Sequence, residues 1–171
     1  MKHLGIDVSV KHLPPLDPEF IPLGRFNEAF LKDAKEPFDV AVERSNGQVA
    51  QYRTFVHGTP DLFEADVYYI DRIIKTLLWM KGGFRVYLSG NEAVCNAMKE
   101  HYSAAGSRAF DFDYMGNVFE HPFEVLRVDQ IPAEKSVSKA IGRHLKGCRI
   151  GFDAGGSDRK VSAVIDGESV Y

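Results

Sequence analysis

Apolar residues recur at spacings of three and four from Leu62 to Met80, which is the strongest periodic pattern in the chain. Such spacing places the apolar side chains on one face of a helix, and the glycines at 82 and 83 are a common helix stop. We therefore predict a helix over residues 62–81. Its apolar stripe is too wide for an exposed helix, so we expect it to pack on a sheet.

Apolar and polar residues alternate in the segments on both sides of this helix. Over 38–42 the alternation predicts a strand, the turn signal Ser45-Asn46-Gly47 follows, and a second apolar stretch over 49–56 completes a hairpin. The segments after the helix predict, in order, a strand at 84–88, a helix at 91–105, a hairpin over 110–119, a strand at 123–128 and a helix at 136–145. This alternation is typical of an α/β fold with a mixed sheet and flanking helices.

The first 36 residues give the weakest pattern. Residues 6–10 alternate like a short strand, prolines between 14 and 22 prevent regular structure, and residues 26–34 fit a short helix. We expect the compact α/β domain to occupy residues 37–145. The boundary between two domains is expected at Lys146-Gly147, which gives a first domain of residues 1–146 for which no motif indicates a role.

Composition and charge disfavour several classes of function. The 171 residues carry a net charge of −3 with scattered basic residues, so we expect neither nucleic acid nor an anionic membrane as a partner. No apolar run is long enough to span a membrane, and the N-terminus lacks the apolar core of a signal peptide, so we expect a cytoplasmic protein. Cys95 and Cys148 lie in apolar surroundings and are expected to be buried free thiols.

The segment from Ile150 to Tyr171 carries the clearest chemical motif. Its pattern is an apolar strand, a carboxylate, a Gly-rich turn, a lysine, a second apolar strand and another turn, with the residues Asp153, Gly155, Gly156, Ser157, Lys160 and Asp166-Gly167. Such a turn exposes successive backbone N–H groups, and its glycines leave no Cβ in the path of a phosphate. A carboxylate beside the turn is well placed to hold hydrated magnesium.

This motif resembles the first phosphate-binding hairpin of the actin-like ATPase and sugar-kinase superfamily, and it is most similar to the ROK family. The spacing is also similar to that of 2-hydroxyacyl-CoA dehydratase activators and type II pantothenate kinases. In many ROK members the lysine lies closer to the aspartate, and the extra residues Asp158 and Arg159 leave the branch open. The expected fold is therefore α/β with a mixed sheet, followed over 147–171 by the start of a ribonuclease-H-like kinase domain.

The resemblance implies an ATP-dependent kinase that uses ATP, Mg²⁺ and a small-molecule substrate. By this resemblance, Asp153 would hold the magnesium through water. The N–H groups of residues 155–157 and the Ser157 hydroxyl would bind phosphate oxygens, and Lys160 would supply a positive charge. By the same resemblance, the carboxylate base, the second phosphate loop and the adenosine pocket are expected beyond Tyr171. We therefore expect this chain to be the N-terminal part of a kinase-like protein, without turnover of its own.

Alternatives stay open at this point. Residues 153–160 also fit a plain β-hairpin with a Gly-rich tip, and residues 1–145 also fit a non-catalytic domain that binds a partner protein or a small ligand. A homodimer is a further option. The predicted helix over 62–81, the strand at 84–88, the turn Ser89-Gly90 and the helix at 91–105 follow one another in the order of the adenosine-binding segment of the same superfamily, which they resemble. The same order also fits a generic β-turn-α unit.

Two further groups of residues are candidates for chemistry or binding. Asp111 and Asp113 lie two residues apart on a predicted strand, so both side chains would face the same side. They could form a pair that binds a metal or does acid–base chemistry, or they could belong to an exposed strand face. The same region is rich in aromatic residues, which would either pack in the hydrophobic core or form a surface that binds a partner. They are Phe110, Phe112, Tyr114, Phe119 and Phe123. None of the six histidines forms a metal-binding pair at four-residue spacing.

Overall fold

The computed structural model describes residues 1–137 and 146–171, which fall into two units, Met1–Ser136 and Val137–Tyr171. The helix predicted over 136–145 therefore lies almost entirely outside the described residues. Among the described residues, no helix combines the length and the apolar composition that crossing a membrane requires.

A four-stranded mixed sheet organises the first unit. Its strands are β3 (Glu36–Arg44), β4 (Gln48–Val56), β5 (Arg85–Ser89) and β6 (Glu124–Arg127), and they lie in the order β4-β3-β5-β6. Strand β3 runs antiparallel to β4 and to β5, whereas β5 and β6 are parallel. The predicted mixed sheet is confirmed, and so is the turn between β3 and β4, where Asn46 has a φ of 64°.

Four helices complete this unit: α1 (Leu23–Phe30), α2 (Phe63–Lys81), α3 (Glu92–His101) and α4 (Ala109–Phe119). The predicted helix over 62–81 is confirmed as α2. It ends at Gly82, whose φ of 73° suits a residue without a Cβ. The predicted cap of α3 is also confirmed, because the Asn91 side chain accepts a hydrogen bond of 3.2 Å from the Val94 N–H.

The helices cover one face of the sheet. Alternate residues of β3 and β5 point into the main core, where they meet buried residues of α2; these residues are Phe38, Val40, Val42, Val86, Leu88, Tyr69, Ile70 and Ile74. The opposite face carries Ala41 and Tyr87, which pack with Ile131 and Val128 from the segment after β6. Helices therefore pack on one face of the sheet, whereas the other face is covered only by the segment after β6.

The N-terminal residues are part of this unit, so the prediction that the domain occupies residues 37–145 is wrong at its start. Strands β1 (Lys2–His3) and β2 (Ile6–Asp7) pair with each other, and helix α1 follows the proline-rich stretch. Val8 and Phe30 are fully or almost fully buried in the main core. Prolines disrupt regular structure locally, but they leave the apolar residues on either side free to pack.

The hairpin predicted over 110–119 is wrong, because these residues form helix α4. Aromatic residues at 110, 112 and 114 fit a strand period of two, but residues four apart also share one face of a helix. Asp111 and Met115 lie on the buried side of α4, whereas Phe110 and Tyr114 lie on the exposed side. Short apolar runs of this kind do not distinguish the two periods.

The second unit is a three-stranded antiparallel sheet of β7 (Cys148–Ala154), β8 (Arg159–Ile165) and β9 (Glu168–Ser169), in that order. Strand β7 forms one edge of this sheet and is exposed along its whole length. Cys148 is consequently exposed, so the prediction that it is buried is wrong. The prediction for Cys95 is confirmed: it is a buried free thiol, and burial raises its pKa to about 11.

Candidate functional site

The Gly-rich motif forms the hairpin between β7 and β8. The two strands pair from Cys148 opposite Ile165 to Ala154 opposite Arg159, and residues 155–158 make the turn. At the other end, the Asp166 carboxylate accepts a hydrogen bond of 2.7 Å from the Gly147 N–H. This bond fastens the start of β7 to the turn that follows β8, so both ends of the hairpin are closed.

Strand register gives the hairpin a polar face and an apolar face. Asp153 lies directly opposite Lys160, and Gly151 lies opposite Ser162. Cross-strand partners share a face and neighbouring residues alternate between faces. The polar face therefore carries the predicted carboxylate and the predicted lysine side by side, next to the turn. The opposite face is mostly apolar, with the pairs Cys148–Ile165, Ile150–Ala163 and Phe152–Val161, and it ends at Ala154 opposite Arg159.

The turn requires a glycine at position 155 but not at position 156. A Cβ on Gly155 would lie 2.6 Å from Oδ1 and 2.9 Å from the carbonyl oxygen of Asp158, so the turn itself requires glycine there. A Cβ on Gly156 would meet nothing within 4 Å, and its φ is not in the left-handed region. Neither packing nor backbone conformation requires a glycine at 156, and the space beside it is open.

Lys160 makes an ion pair with Asp158 and none with Asp153. The Lys160 Nζ lies 3.2 Å from the Asp158 Oδ2, and both side chains are more than half exposed. An ion pair this exposed contributes little stability, so a stronger anion can displace Asp158 at small cost. Ser157 lies in the same turn and is also exposed, which leaves all five predicted site residues open to solvent.

This donor set fits a magnesium–phosphate group. A carboxylate oxygen is the ligand that Mg²⁺ prefers, usually with several waters retained. The open space at Gly156 gives a phosphate access to the turn backbone, and Lys160 supplies a cation beside it. The structure thus brings Asp153, Gly155, Gly156, Ser157 and Lys160 together at one end of one hairpin.

The predicted pair of Asp111 and Asp113 does not exist, because the two residues lie on helix α4 and not on a strand. Asp111 is almost fully buried and accepts hydrogen bonds from Lys75 Nζ at 3.0 and 3.1 Å and from Trp79 Nε1 at 2.6 Å. Asp113 is exposed. Asp111 therefore joins α4 to α2.

Asp111→Ala should lower the free energy of unfolding by about 2–3 kcal/mol, because it leaves the partly buried Trp79 indole N–H and the Lys75 ammonium without their common acceptor. The neighbouring change Asp113→Ala should alter it by less than about 0.5 kcal/mol, as expected for an exposed position. Urea unfolding followed by circular dichroism compares the two variants. Equal effects would contradict the placement of these residues on α4.

Sequence reasoning missed Asp66, a buried aspartate of helix α2 that contacts the residues directly after β4. Asp66 accepts hydrogen bonds from the backbone N–H groups of His57 and Gly58, both at 2.9 Å, and its Oδ1 lies 3.1 Å from the His57 Nδ1. It borders a cavity of about 350 Å³ that Phe63 and Asn91 also line. An aspartate on the buried face of the α2 pattern is the sequence signal for this site.

A second missed group surrounds Asp71, five residues further along α2. Arg108 donates to both carboxylate oxygens, with its Nε 2.9 Å from Oδ1 and its Nη2 in contact with Oδ2. This pairing raises the pKa of the Arg108 guanidinium. The His101 Nδ1 lies 3.7 Å from Asp71 Oδ1, too far for a hydrogen bond. The group borders a cavity of about 420 Å³.

The comparisons with known proteins give no family for this chain. No protein-family model, no curated protein and no solved structure matches it. The case for a function therefore rests on the hairpin's own geometry and on the resemblance of its motif.

Proposed function

We propose that the β7–β8 hairpin binds the phosphates of ATP together with Mg²⁺, as part of a sugar-kinase-like protein of the ROK type. The observation that carries this proposal is the register that sets Asp153 opposite Lys160, beside a turn whose Gly156 the fold itself does not require. A carboxylate, a cation and an open backbone turn form one polar edge. A purely structural hairpin has no need for this combination.

Each residue has a distinct role in the proposal. Asp153 holds the magnesium through its water ligands, and the metal neutralises negative charge on the phosphate oxygens. The N–H groups of Gly155, Gly156 and Ser157 donate to phosphate oxygens, and the Ser157 hydroxyl adds a further donor. Lys160 leaves its weak pairing with Asp158 and attracts the phosphate from the side.

The proposed reaction class is phosphoryl transfer from ATP to a small molecule, in which catalysis consists mostly of positioning and electrostatic stabilisation. The hairpin contributes phosphate and metal contacts to that reaction. A cytoplasmic location is part of the proposal, since both described cysteines are free thiols, as is usual in a reducing compartment.

Gly156→Ala tests the proposal, with Gly24→Ala as a matched control. Both glycines are exposed and neither Cβ would meet any atom within 4 Å. We expect Gly156→Ala to leave the melting temperature unchanged and to weaken MgATP binding, measured by calorimetry, by at least tenfold. The methyl group occupies the path of the phosphate, whereas Gly24 belongs to helix α1 of the other unit and is not part of the turn.

An unchanged affinity for MgATP in Gly156→Ala would contradict the proposal and favour a hairpin with a structural role only. Equal losses in Gly156→Ala and Gly24→Ala would contradict it as well, because binding would then not depend on the turn.

A further inference from the structure

The cavity of about 350 Å³ beside Asp66 lies at one end of the four-stranded sheet. Strands β4 and β5 both run antiparallel to β3, so their carboxyl ends lie at the same end of the sheet. In open α/β sheets, ligands commonly bind in crevices outside the carboxyl ends of strands. The lining residues follow β4, begin α2 or begin α3, and they include Thr59, Pro60, Phe63, Asp66, Asn91 and Ala93.

Asp66 supplies a buried carboxylate to this cavity, with a side chain that is only 1% exposed. It accepts three hydrogen bonds, from the His57 N–H, the His57 Nδ1 and the Gly58 N–H. Neutral donors suffice for all three, because two are backbone amides and a neutral imidazole carries one N–H. A carboxylate accepts about four hydrogen bonds, so one acceptor position of Asp66 stays free beside the cavity.

Glu36 adds a second carboxylate next to the same loop. Its Oε2 packs directly against Gly58, at the place that a Cβ on Gly58 would occupy. It receives one long hydrogen bond, of 3.4 Å, from the Asn91 Nδ2. Within residues 1–137 and 146–171, no lysine or arginine pairs with Glu36 or Asp66. The cavity therefore lies beside two carboxylates that have no cationic side chain to balance them.

Much of the remaining lining is apolar and comes from Pro60, Phe63 and Ala93. The Phe63 side chain is 36% exposed, although it begins the largest helix of the unit. The face of an aromatic ring attracts organic cations, and this attraction strengthens when water is excluded. A carboxylate with a free acceptor position, surrounded by apolar surface, matches a ligand that has a cationic group on an apolar body.

We propose that this cavity binds a small organic amine, whose ammonium group donates to Asp66 and whose apolar body lies against Phe63 and Pro60. A hydrogen bond between two charged groups is stronger than one between neutral groups. The two carboxylates disfavour an anion, and the described part of the chain has no group of three side chains that could hold a metal ion. The site lies in the Met1–Ser136 unit and is independent of the phosphate-binding hairpin.

Amines and the alcohols of the same shape test the ligand class. The probes are butylamine, benzylamine and phenethylamine, each compared with the alcohol in which a hydroxyl replaces the amino group. In backbone amide NMR of the 171-residue chain, at least one amine should shift the signals of Gly58, Thr59 and Ala93. Its affinity should exceed that of its alcohol at least tenfold, because only the amine is charged. No shift at these amides with any amine, or equal affinities for amine and alcohol, overturns the proposal.

Ala93→Leu should weaken amine binding at least tenfold and leave the melting temperature unchanged, because it fills the cavity from an exposed position of α3. Asn96→Leu is the matched control, since Asn96 is exposed on the same helix and lies outside the cavity lining. Asp66→Asn keeps the size of the side chain and should reduce the affinity for the amine to that for its alcohol. If Asp66→Asn does not fold, Ala93→Leu still tests the place of binding, and the alcohols still test the role of charge. Binding that survives Ala93→Leu, or that Asn96→Leu weakens equally, rules out this cavity.

Discussion

Replacing Arg108 by alanine should lower the free energy of unfolding of the Met1–Ser136 unit by about 3–5 kcal/mol. Arg108 donates to both oxygens of Asp71, whose side chain is only 7% exposed. Removing the guanidinium leaves a buried carboxylate without its cation, and the cost of that unpaired charge is much larger than the net value of the pair itself. His101 is too distant, at 3.7 Å, to replace the lost hydrogen bonds.

Urea unfolding at neutral pH measures this effect, with Arg25→Ala as the control. Arg25 pairs with Glu28 at 2.9 Å, but both side chains are more than half exposed, so its loss should cost less than about 1 kcal/mol. Adding Asp71→Asn to Arg108→Ala should recover part of the stability, because a neutral amide is less costly to bury than a charge. Similar losses in Arg108→Ala and Arg25→Ala would show that Asp71 is not buried in this way.

Exchanging the two aspartates of the hairpin for asparagine should affect MgATP affinity differently. Asp153→Asn should weaken binding at least tenfold and remove its dependence on magnesium, because the proposed magnesium contact loses its charge. Asp158→Asn should leave binding unchanged or strengthen it a few-fold. That change removes a like charge near the phosphates and frees Lys160 from its 3.2 Å pairing.

Calorimetric titration with MgATP, repeated without magnesium, distinguishes these outcomes. Asparagine keeps the size of aspartate, and both positions are exposed, so melting temperatures serve as the folding control. Equal weakening by both substitutions would indicate a general effect of charge near the turn. That result would contradict a specific role for Asp153.

The elements that the sequence predicts correctly are those with long or unambiguous patterns. Helix α2 repeats its apolar positions over five turns, and the turn at Asn46 is specified by residues that adopt a positive φ. Helix α4 was misassigned because its aromatic residues fit periods of two and of four equally well. Only packing decides between them, since Asp111 is buried against α2.

The residues of the candidate site are indicated by the sequence motif, whereas their geometry depends on the fold. Spacing along the motif indicated a carboxylate, a glycine turn and a lysine, whereas the pairing of Asp153 with Lys160 depends on strand register. The competition of Asp158 for Lys160 was not predicted. Asp66 and Asp71 were missed because their partners are distant in sequence or are backbone N–H groups, which no local pattern reveals.

Backbone amide NMR of the 171-residue chain titrated with MgATP tests the central claim most directly. The amide signals of Gly155, Gly156 and Ser157 should shift most, since these N–H groups are the proposed phosphate donors. The shifts should shrink without magnesium and vanish in Gly156→Ala. No shift at these three amides, with or without shifts elsewhere in the chain, would contradict a phosphate-binding hairpin.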